Sequence, residues 1–378
     1  MTWPLLSTFN RKRNAIAACL SELAAPILRR KLIGIVPPTH PLSWRKGLLV
    51  GANHIGDVLY RSSSLAQLKL GLPHCEWHFL APEPACQLLV RNPAISKTYP
   101  FDIPASKKSD EYDALALENY DVLLCYNSGG YLPFLKLAVD LKIPNRAAYV
   151  HKGFSALTTH PVSIRYPQPF PAYFRDLVSE FTGTTNSASL CPVVYPSTQD
   201  EEEANALMST LDITGRQDLL ACFVTTRQPS GIWPSERYAQ AVKILENRHP
   251  KLVTLLMGAS SDEPLLKKLK QLYSLRAQVV AGKLGLMALV CFLKRCNAVL
   301  TTDSGPRHLA NTAGTKPVFF RNLWFDPVEA GRYVETEVDI APANIGLLAP
   351  EKQKLYFEQI TPQDAADAVS KIINSQNL

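Results

Sequence analysis

Residues 298–320 read AVLTTDSGPRHLANTAGTKPVFF. Ala298 to Leu300 is a short apolar run suited to a buried strand, and Pro317 to Phe320 is another. Between them, Leu309 and Ala313 share one face of a short helix at i, i+4 spacing. Ser304 is placed as its N-cap, Pro306 near its first turn and Gly314 as its stop. The order is strand, polar turn, helix, strand. Backbone N–H groups at a helix N-terminus carry about half a positive charge, which suits a phosphate. Gly305 lets the backbone approach an anion, and Arg307 and His308 add donors. Asp303 needs a hydrogen-bond donor of its own, which a sugar hydroxyl can supply. An ordinary βα loop fits the same residues, and this stretch alone leaves both readings open.

At 378 residues the chain is long enough for two domains. With 46% hydrophobic and 19% charged residues it has the composition of a globular protein. The net charge of +7 is unevenly placed. Residues 1–46 hold eight Lys or Arg and one acid, Glu22, which leaves 32 of each sign in the remainder. The excess belongs to an N-terminal arm, and no nucleic-acid surface is expected on the body. In the arm, Ile16, Leu20, Leu23 and Ile27 fall at helical spacing between Arg11-Lys12-Arg13 and Arg29-Arg30-Lys31. It is too short and too charged to span a membrane, and no clean signal cleavage site follows it. A basic helix lying on an anionic membrane surface is one reading. A helix packed on the body or a loose tail is the other. The eight cysteines form no C-x-x-C pair, so reduced, mostly buried thiols are expected, with no metal site and no cofactor.

From Gly47 an α/β rhythm begins. Strands are predicted over 48–52, 77–80, 97–101 and 122–126, with helices over 58–70, 85–91 and 134–141 and a long surface loop over 151–171. A Thr, Ser and Pro-rich stretch over 182–199 suggests the join between domains. The rhythm then repeats, with strands over 219–225, 252–257, 278–280, 298–301 and 317–320 and helices over 235–248, 264–273, 286–296 and 362–374. Strands alternating with helices imply parallel pairing and right-handed crossovers. The fold class expected is therefore α/β, with two Rossmann-like domains facing one cleft. The divisions are 1–46 (arm), 47–190, 191–350 and 351–378 (tail with a helix free to pack on either domain). No G-x-G-x-x-G occurs, which argues against a dinucleotide oxidoreductase.

Ligands of open α/β sheets bind beyond the carboxyl ends of the strands. Gly56 and Asp57 follow the first strand, so Asp57 is placed either for acid–base work or as a helix N-cap. Thr225, Thr226 and Arg227 end the 219–225 strand and suit a diphosphate, or a plain turn. Asp262 and Glu263 follow the 252–257 strand and suit ribose hydroxyls, or a helix cap.

In this order, Gly56-Asp57-Val58-Leu59, Thr225-Thr226-Arg227 with Trp233-Pro234, Gly258-Ala259 with its acids, and the 303–310 motif resemble glycosyltransferase family 9. Its best-known members are ADP-heptose:lipopolysaccharide heptosyltransferases. The resemblance spans about residues 46–330. It implies a GT-B fold and an inverting, metal-independent transfer from a nucleotide diphosphate sugar, ADP-heptose-like, to a glycolipid or glycan acceptor such as lipopolysaccharide. Asp57 would be the general base. Ser304, Gly305, Pro306, Arg307 and His308 would meet the leaving diphosphate with Thr225, Thr226 and Arg227. Asp262 or Glu263 would hold the ribose, and Asp303 the sugar. A cytoplasmic protein, peripheral on the inner face of the membrane through residues 1–46, would fit that role. The chain departs from the family at three places. Ser230-Gly231-Ile232 stands where the family carries a lysine before Trp-Pro, Arg307 where it has an apolar residue, and Arg321-Asn322-Leu323-Trp324 where it has a Gly-rich turn. A non-catalytic sugar-nucleotide-binding protein and a nucleotide-sugar epimerase are the alternatives.

Overall fold

The computed structural model describes residues 19–20, 22–23, 27, 38–101, 110–126, 132–150, 153, 155–184, 189–213, 217–226, 233–323, 325–341 and 356–376. The chain divides into two compact units, residues 1–190 and 191–378. Unit 1 carries strands β1 (Lys46–Val50), β2 (Glu76–Ala81), β3 (Lys97–Pro100), β4 (Val122–Cys125), β5 (Asn145–Tyr149) and β6 (His160–Val162). Unit 2 carries β7 (Leu219–Phe223), β8 (Val253–Gly258), β9 (Gln278–Ala281), β10 (Ala298–Thr302), β11 (Lys316–Phe320) and β12 (Val338–Ile340).

Both sheets are parallel throughout and share one topology. The orders are β3-β2-β1-β4-β5-β6 and β12-β11-β10-β7-β8-β9. In each, the chain steps outward from its first strand and then restarts on that strand's other side. That reversal leaves a crevice at the carboxyl ends of β1 and β4, and another at β7 and β10. Helices on both faces account for the completely buried central strands, such as Leu48 to Val50 and Val122 to Cys125. In unit 2 the Pro362–Gln376 helix packs on the Ser235–Arg248 helix, and Ala365, Val369 and Ile373 enter the same core as Trp233 and Phe320. The tail set apart in sequence is therefore part of this unit's core.

Local chemistry explains where the sequence misled. The strand expected over 48–52 stops at Val50 because Gly51 adopts φ 106, a left-handed turn open to glycine. The helix expected over 58–70 is two, Ile55–Ser62 and Leu65–Gly71. Between them the Ser62 and Ser63 hydroxyls donate to the Leu59 and Tyr60 carbonyls and compete with the helical ladder. The loop expected over 151–171 holds β6, whose Pro161 is tolerated at a sheet edge. β5 was hidden because it opens on Asn145 and Arg146. Both are buried, and the Arg146 guanidinium is spent on the carbonyls of Ile143, Pro144 and Leu157.

β1 and β2 meet closely at one pair. Gly47 lies opposite Trp77, and a Cβ on Gly47 would sit 2.3 Å from the buried indole ring. Gly47→Ala should therefore lower unfolding free energy by about 1–3 kcal/mol, the usual cost of overpacking. Thermal denaturation checks this, and an unchanged melting temperature would show that the Trp77 ring can yield.

Candidate functional site

In unit 1 the crevice is formed by the turn after β1 and by Tyr126 at the end of β4. The Ile55–Ser62 helix starts there with His54 as its N-cap, and His54 makes no side-chain cap. Asp57 is thus not the N-cap. It sits in the first turn, and its Oδ2 accepts the Asn53 backbone N–H at 3.3 Å. Its Oδ1 accepts the Tyr60 hydroxyl at 2.6 Å and lies 3.3 Å from an Arg61 guanidinium nitrogen. Arg61 is 6% exposed, donates to the Asp57 and Tyr126 carbonyls, and lies over the Tyr60 and Tyr126 rings. Burial alone would raise the Asp57 carboxyl. The Arg61 charge, the Tyr60 hydroxyl, His54 and the Asn53 N–H outweigh it and hold the carboxyl below its ordinary value. With its side chain 26% exposed, Asp57 is an ionised carboxylate still open to solvent.

In unit 2 the crevice is formed by residues 224–226 after β7 and by Asp303 and Ser304 after β10. Ser304 is the N-cap of the Gly305–Ala313 helix, Pro306 falls in its first turn, and Gly314 ends it at φ 74. The Ser304 hydroxyl turns back to the Thr302 carbonyl and makes no cap. The N–H groups of Ser304 and Gly305 have no acceptor among the described residues. They remain available to an anion.

Arg307 does not belong with them. It is 2% exposed, and all five of its N–H donors are taken. They go to Asp303 Oδ1 (2.8 Å), the Ala330 and Gly331 carbonyls, and both oxygens of Glu337 (2.7 and 3.0 Å). Its guanidinium lies 3.6 Å from the Phe319 ring centroid. The expected phosphate contact is thereby corrected, because Arg307 has no donor left to give. Glu337 is fully buried; burial would raise its carboxyl, but Arg307, Asn311 and the Tyr333 N–H hold it below its ordinary value. His308 Nδ1 pairs with the Tyr333 hydroxyl at 2.7 Å, and the two rings stack. Sequence reading missed Glu337, since nothing local links it to a residue thirty positions earlier.

Asp262 Oδ2 accepts both the Thr225 hydroxyl and the Ala259 N–H, each at 2.8 Å. It closes over Gly258, where a Cβ would lie 2.6 Å from that oxygen. Asp262 thus ties the end of β7 to the end of β8. Glu263 instead pairs with Lys267 at 2.9 Å on its own helix. Thr226 is half-buried, while Arg227 and residues 230–232 lie outside the described residues. Arg321, in place of the expected Gly-rich turn, lies 3.5 Å from Asp339 on β12, whose carboxyl burial lifts to about 6 against the pull of Arg321. Six of the eight cysteines are buried, and burial pushes the Cys75 and Cys296 thiols to about 12, which leaves them poor nucleophiles.

The family model described as glycosyltransferase family 9 (heptosyltransferase) matches residues 132–319. Lipooligosaccharide heptosyltransferase 2 of Haemophilus influenzae is 24% identical over 283 residues, covering 70% of this chain and 79% of that protein. A family 9 glycosyltransferase from Veillonella parvula superposes with a TM-score of 0.75 at 18% identity, over 89% of this chain and 99% of that one. The ADP-heptose heptosyltransferase II of E. coli superposes with a TM-score of 0.68 at 17% identity, over 88% and 100%. The fold shared with these is GT-B, two Rossmann-like units, and the chain belongs to glycosyltransferase family 9.

Proposed function

We propose that this heptosyltransferase-like glycosyltransferase moves a heptose-like sugar from a nucleoside diphosphate donor, ADP-linked, to a hydroxyl of lipopolysaccharide or another cell-surface glycan. The observation that carries the reading is Asp57, an ionised carboxylate held by its neighbours at the β1/β4 crevice. In the reaction the acceptor oxygen forms a bond to the anomeric carbon as its proton passes to Asp57. The carbon–oxygen bond to the diphosphate breaks with its electron pair, from the opposite face, so the configuration inverts. Charge growing on the diphosphate needs preorganised donors in place of a metal. The N–H groups of Ser304 and Gly305, the hydroxyl of Thr226 and the guanidinium of Arg227 supply them, while the Thr225 hydroxyl is spent on Asp262. Pro306, with no N–H of its own, and His308, whose ring pairs with Tyr333, complete the same first turn. Asp303 takes a sugar hydroxyl, and Asp262 the ribose, while Arg307 acts as a strut that fixes Asp303.

Residues 1–46 extend the reading to a membrane surface, where a lipid-linked acceptor would be met. Of the described apolar side chains there, Leu20, Leu23 and Ile27 are 62%, 77% and 61% exposed at helical spacing between the two basic tracts, while Trp44 is buried in the body. No described helix is long and apolar enough to cross a membrane.

Asp57→Asn should cut sugar transfer by about a hundredfold or more, the scale of positioned proton acceptance. Nucleoside diphosphate binding, carried by unit 2, should stay within a few-fold. Asp57 is also the counter-charge of buried Arg61, so the variant loses stability that is present at neutral pH and vanishes as pH falls through the lowered carboxyl. Turnover by the folded Asn variant at the wild-type rate would exclude Asp57 as the base.

The two arginines of unit 2 should separate. Arg227→Ala should weaken nucleoside diphosphate binding by roughly 10- to 100-fold, with the free nucleoside barely affected and the melting temperature unchanged. Glu337→Gln, which strips Arg307 of its buried partner, should cost about 3–5 kcal/mol of stability. Calorimetry on both variants decides, and the reverse pattern would exchange the two roles.

Vesicles test the arm. Full-length protein should bind anionic liposomes at low salt and release them at high salt. Neutralising Arg29, Arg30 and Lys31 to Gln should weaken that binding roughly a hundredfold, at about 1 kcal/mol per basic residue. Equal sedimentation of both proteins would rule out an electrostatic membrane contact there.

A further inference from the structure

Asp57, Tyr60 and Arg61 stand at i, i+3 and i+4 on the Ile55–Ser62 helix, so their side chains share a face. They hold the two oxygens of the Asp57 carboxylate unequally. Oδ1 accepts the Tyr60 hydroxyl at 2.6 Å and faces the Arg61 guanidinium at 3.3 Å. Oδ2 meets one donor among the described residues, the Asn53 N–H, at 3.3 Å, near the limit of a hydrogen bond.

Both partners of Oδ1 are themselves fixed. The Tyr60 ring stacks on Phe170 from the Phe170–Thr182 helix, with centroids 5.9 Å apart and planes 20° from parallel. The Arg61 guanidinium is buried between the Tyr60 and Tyr126 rings, 4.7 and 4.9 Å from their centroids. Its Nε donates to the Tyr126 carbonyl at the end of β4. The carboxylate is therefore oriented by β4, by the Phe170–Thr182 helix and by its own helix together.

We propose that Tyr60 and Arg61 are positioning residues that occupy Oδ1 and so leave Oδ2 as the atom that takes the proton of the acceptor hydroxyl. The proposal rests on Asp57 being the base. In the step, the acceptor O–H bond breaks toward Oδ2 while the acceptor oxygen bonds to the anomeric carbon, and the electron pair of the broken carbon–diphosphate bond leaves with the diphosphate. Asp57 ends neutral and returns its proton to water. Throughout, Oδ1 keeps the Tyr60 hydrogen bond and the Arg61 ion pair, which hold the carboxyl against a turn that would exchange its oxygens.

The groups that face Asp57 are Tyr60 and Arg61 on its helix, His54 and the Asn53 N–H in the preceding turn, and Tyr126 beyond Arg61. Tyr60→Phe is the informative change, because the ring and its stacking on Phe170 survive and one hydrogen bond to Oδ1 is lost. Without that bond the carboxyl is easier to protonate and freer to turn. Steady-state kinetics on full-length protein should show kcat falling at least fivefold while the donor KM stays within twofold. The pH below which kcat/KM declines should rise by about one unit, read only where circular dichroism shows both proteins folded. His54→Gln should move that limb less than Tyr60→Phe does. Arg61→Lys, which keeps the charge but not the planar stack, should lower kcat again without raising the donor KM. If Tyr60→Phe leaves both kcat and the acid limb at wild-type values while Asp57→Asn is inactive, the positioning role is wrong and the base stands. If Asp57→Asn is itself active, the base is wrong and the positioning role falls with it.

Discussion

The pairing of Arg307 with Glu337 inside unit 2 constrains everything around it. Two opposite charges with almost no exposure are tolerable only when each remaining polar atom is satisfied. Arg307 meets that condition with five donated hydrogen bonds. They pull together the 303–306 turn, the 330–331 backbone and the 333–337 turn, which the Gly305–Ala313 helix alone does not connect. Replacing such a pair with apolar side chains is often neutral for stability. Its value here is geometric, since it fixes Asp303 and the first turn of the helix relative to β11 and β12. The uncapped Ser304 and Gly305 N–H groups are thereby held in place, with no acceptor among the described residues.

Unit 1 repeats the device in a weaker form. In each unit an aspartate follows a strand at the reversal point of the sheet, and an arginine four residues later turns back to it: Asp57 with Arg61, Asp303 with Arg307. Each guanidinium lies against a pair of aromatic rings, Tyr60 and Tyr126 in one case, Phe319 and Tyr333 in the other. The difference is the second carboxylate. Arg307 has Glu337, so Asp303 shares its arginine. Arg61 has no second acid among its described partners, so Asp57 does not share it with another carboxylate.

The sequence carried the architecture well because parallel strands buried on both faces are continuous apolar runs, as at 219–223 and 298–302. The helix at 305–313 was legible from Ser304, Pro306 and Gly314, whose conformational preferences are local. What stayed hidden depends on distance. Strand β5 was concealed by Arg146, whose charge is cancelled by carbonyls from elsewhere in the fold. Arg307 read as a phosphate ligand because its acidic partner lies thirty residues away and across β11. Asp262 read as a ribose contact or a cap, yet much of its work is to bind Thr225 to Ala259 across two strand ends. The Asp57, Tyr60 and Arg61 spacing was visible on the page, but its meaning needed Tyr126, which arrives from another strand.

A carboxylate held below its ordinary value looks like a poor base, and under the proposed chemistry that is the cost of a fixed orientation. The acceptor hydroxyl is far too weak an acid to give its proton to any carboxylate in the ground state. It becomes acidic only as its oxygen bonds to the anomeric carbon, so the driving force is supplied late, by bond formation. At that point the base must be ionised and within reach more than it must be strong. Arg61 and Tyr60 secure the first two conditions down to a lower pH than an ordinary carboxylate allows, and they reduce only the third. Burying Asp57 without them would have raised its carboxyl toward neutrality, making a stronger base that was protonated for part of the working range. The Asp57 to Arg61 contact therefore trades intrinsic basicity for constant readiness, the better exchange when the nucleophile acidifies itself during the reaction.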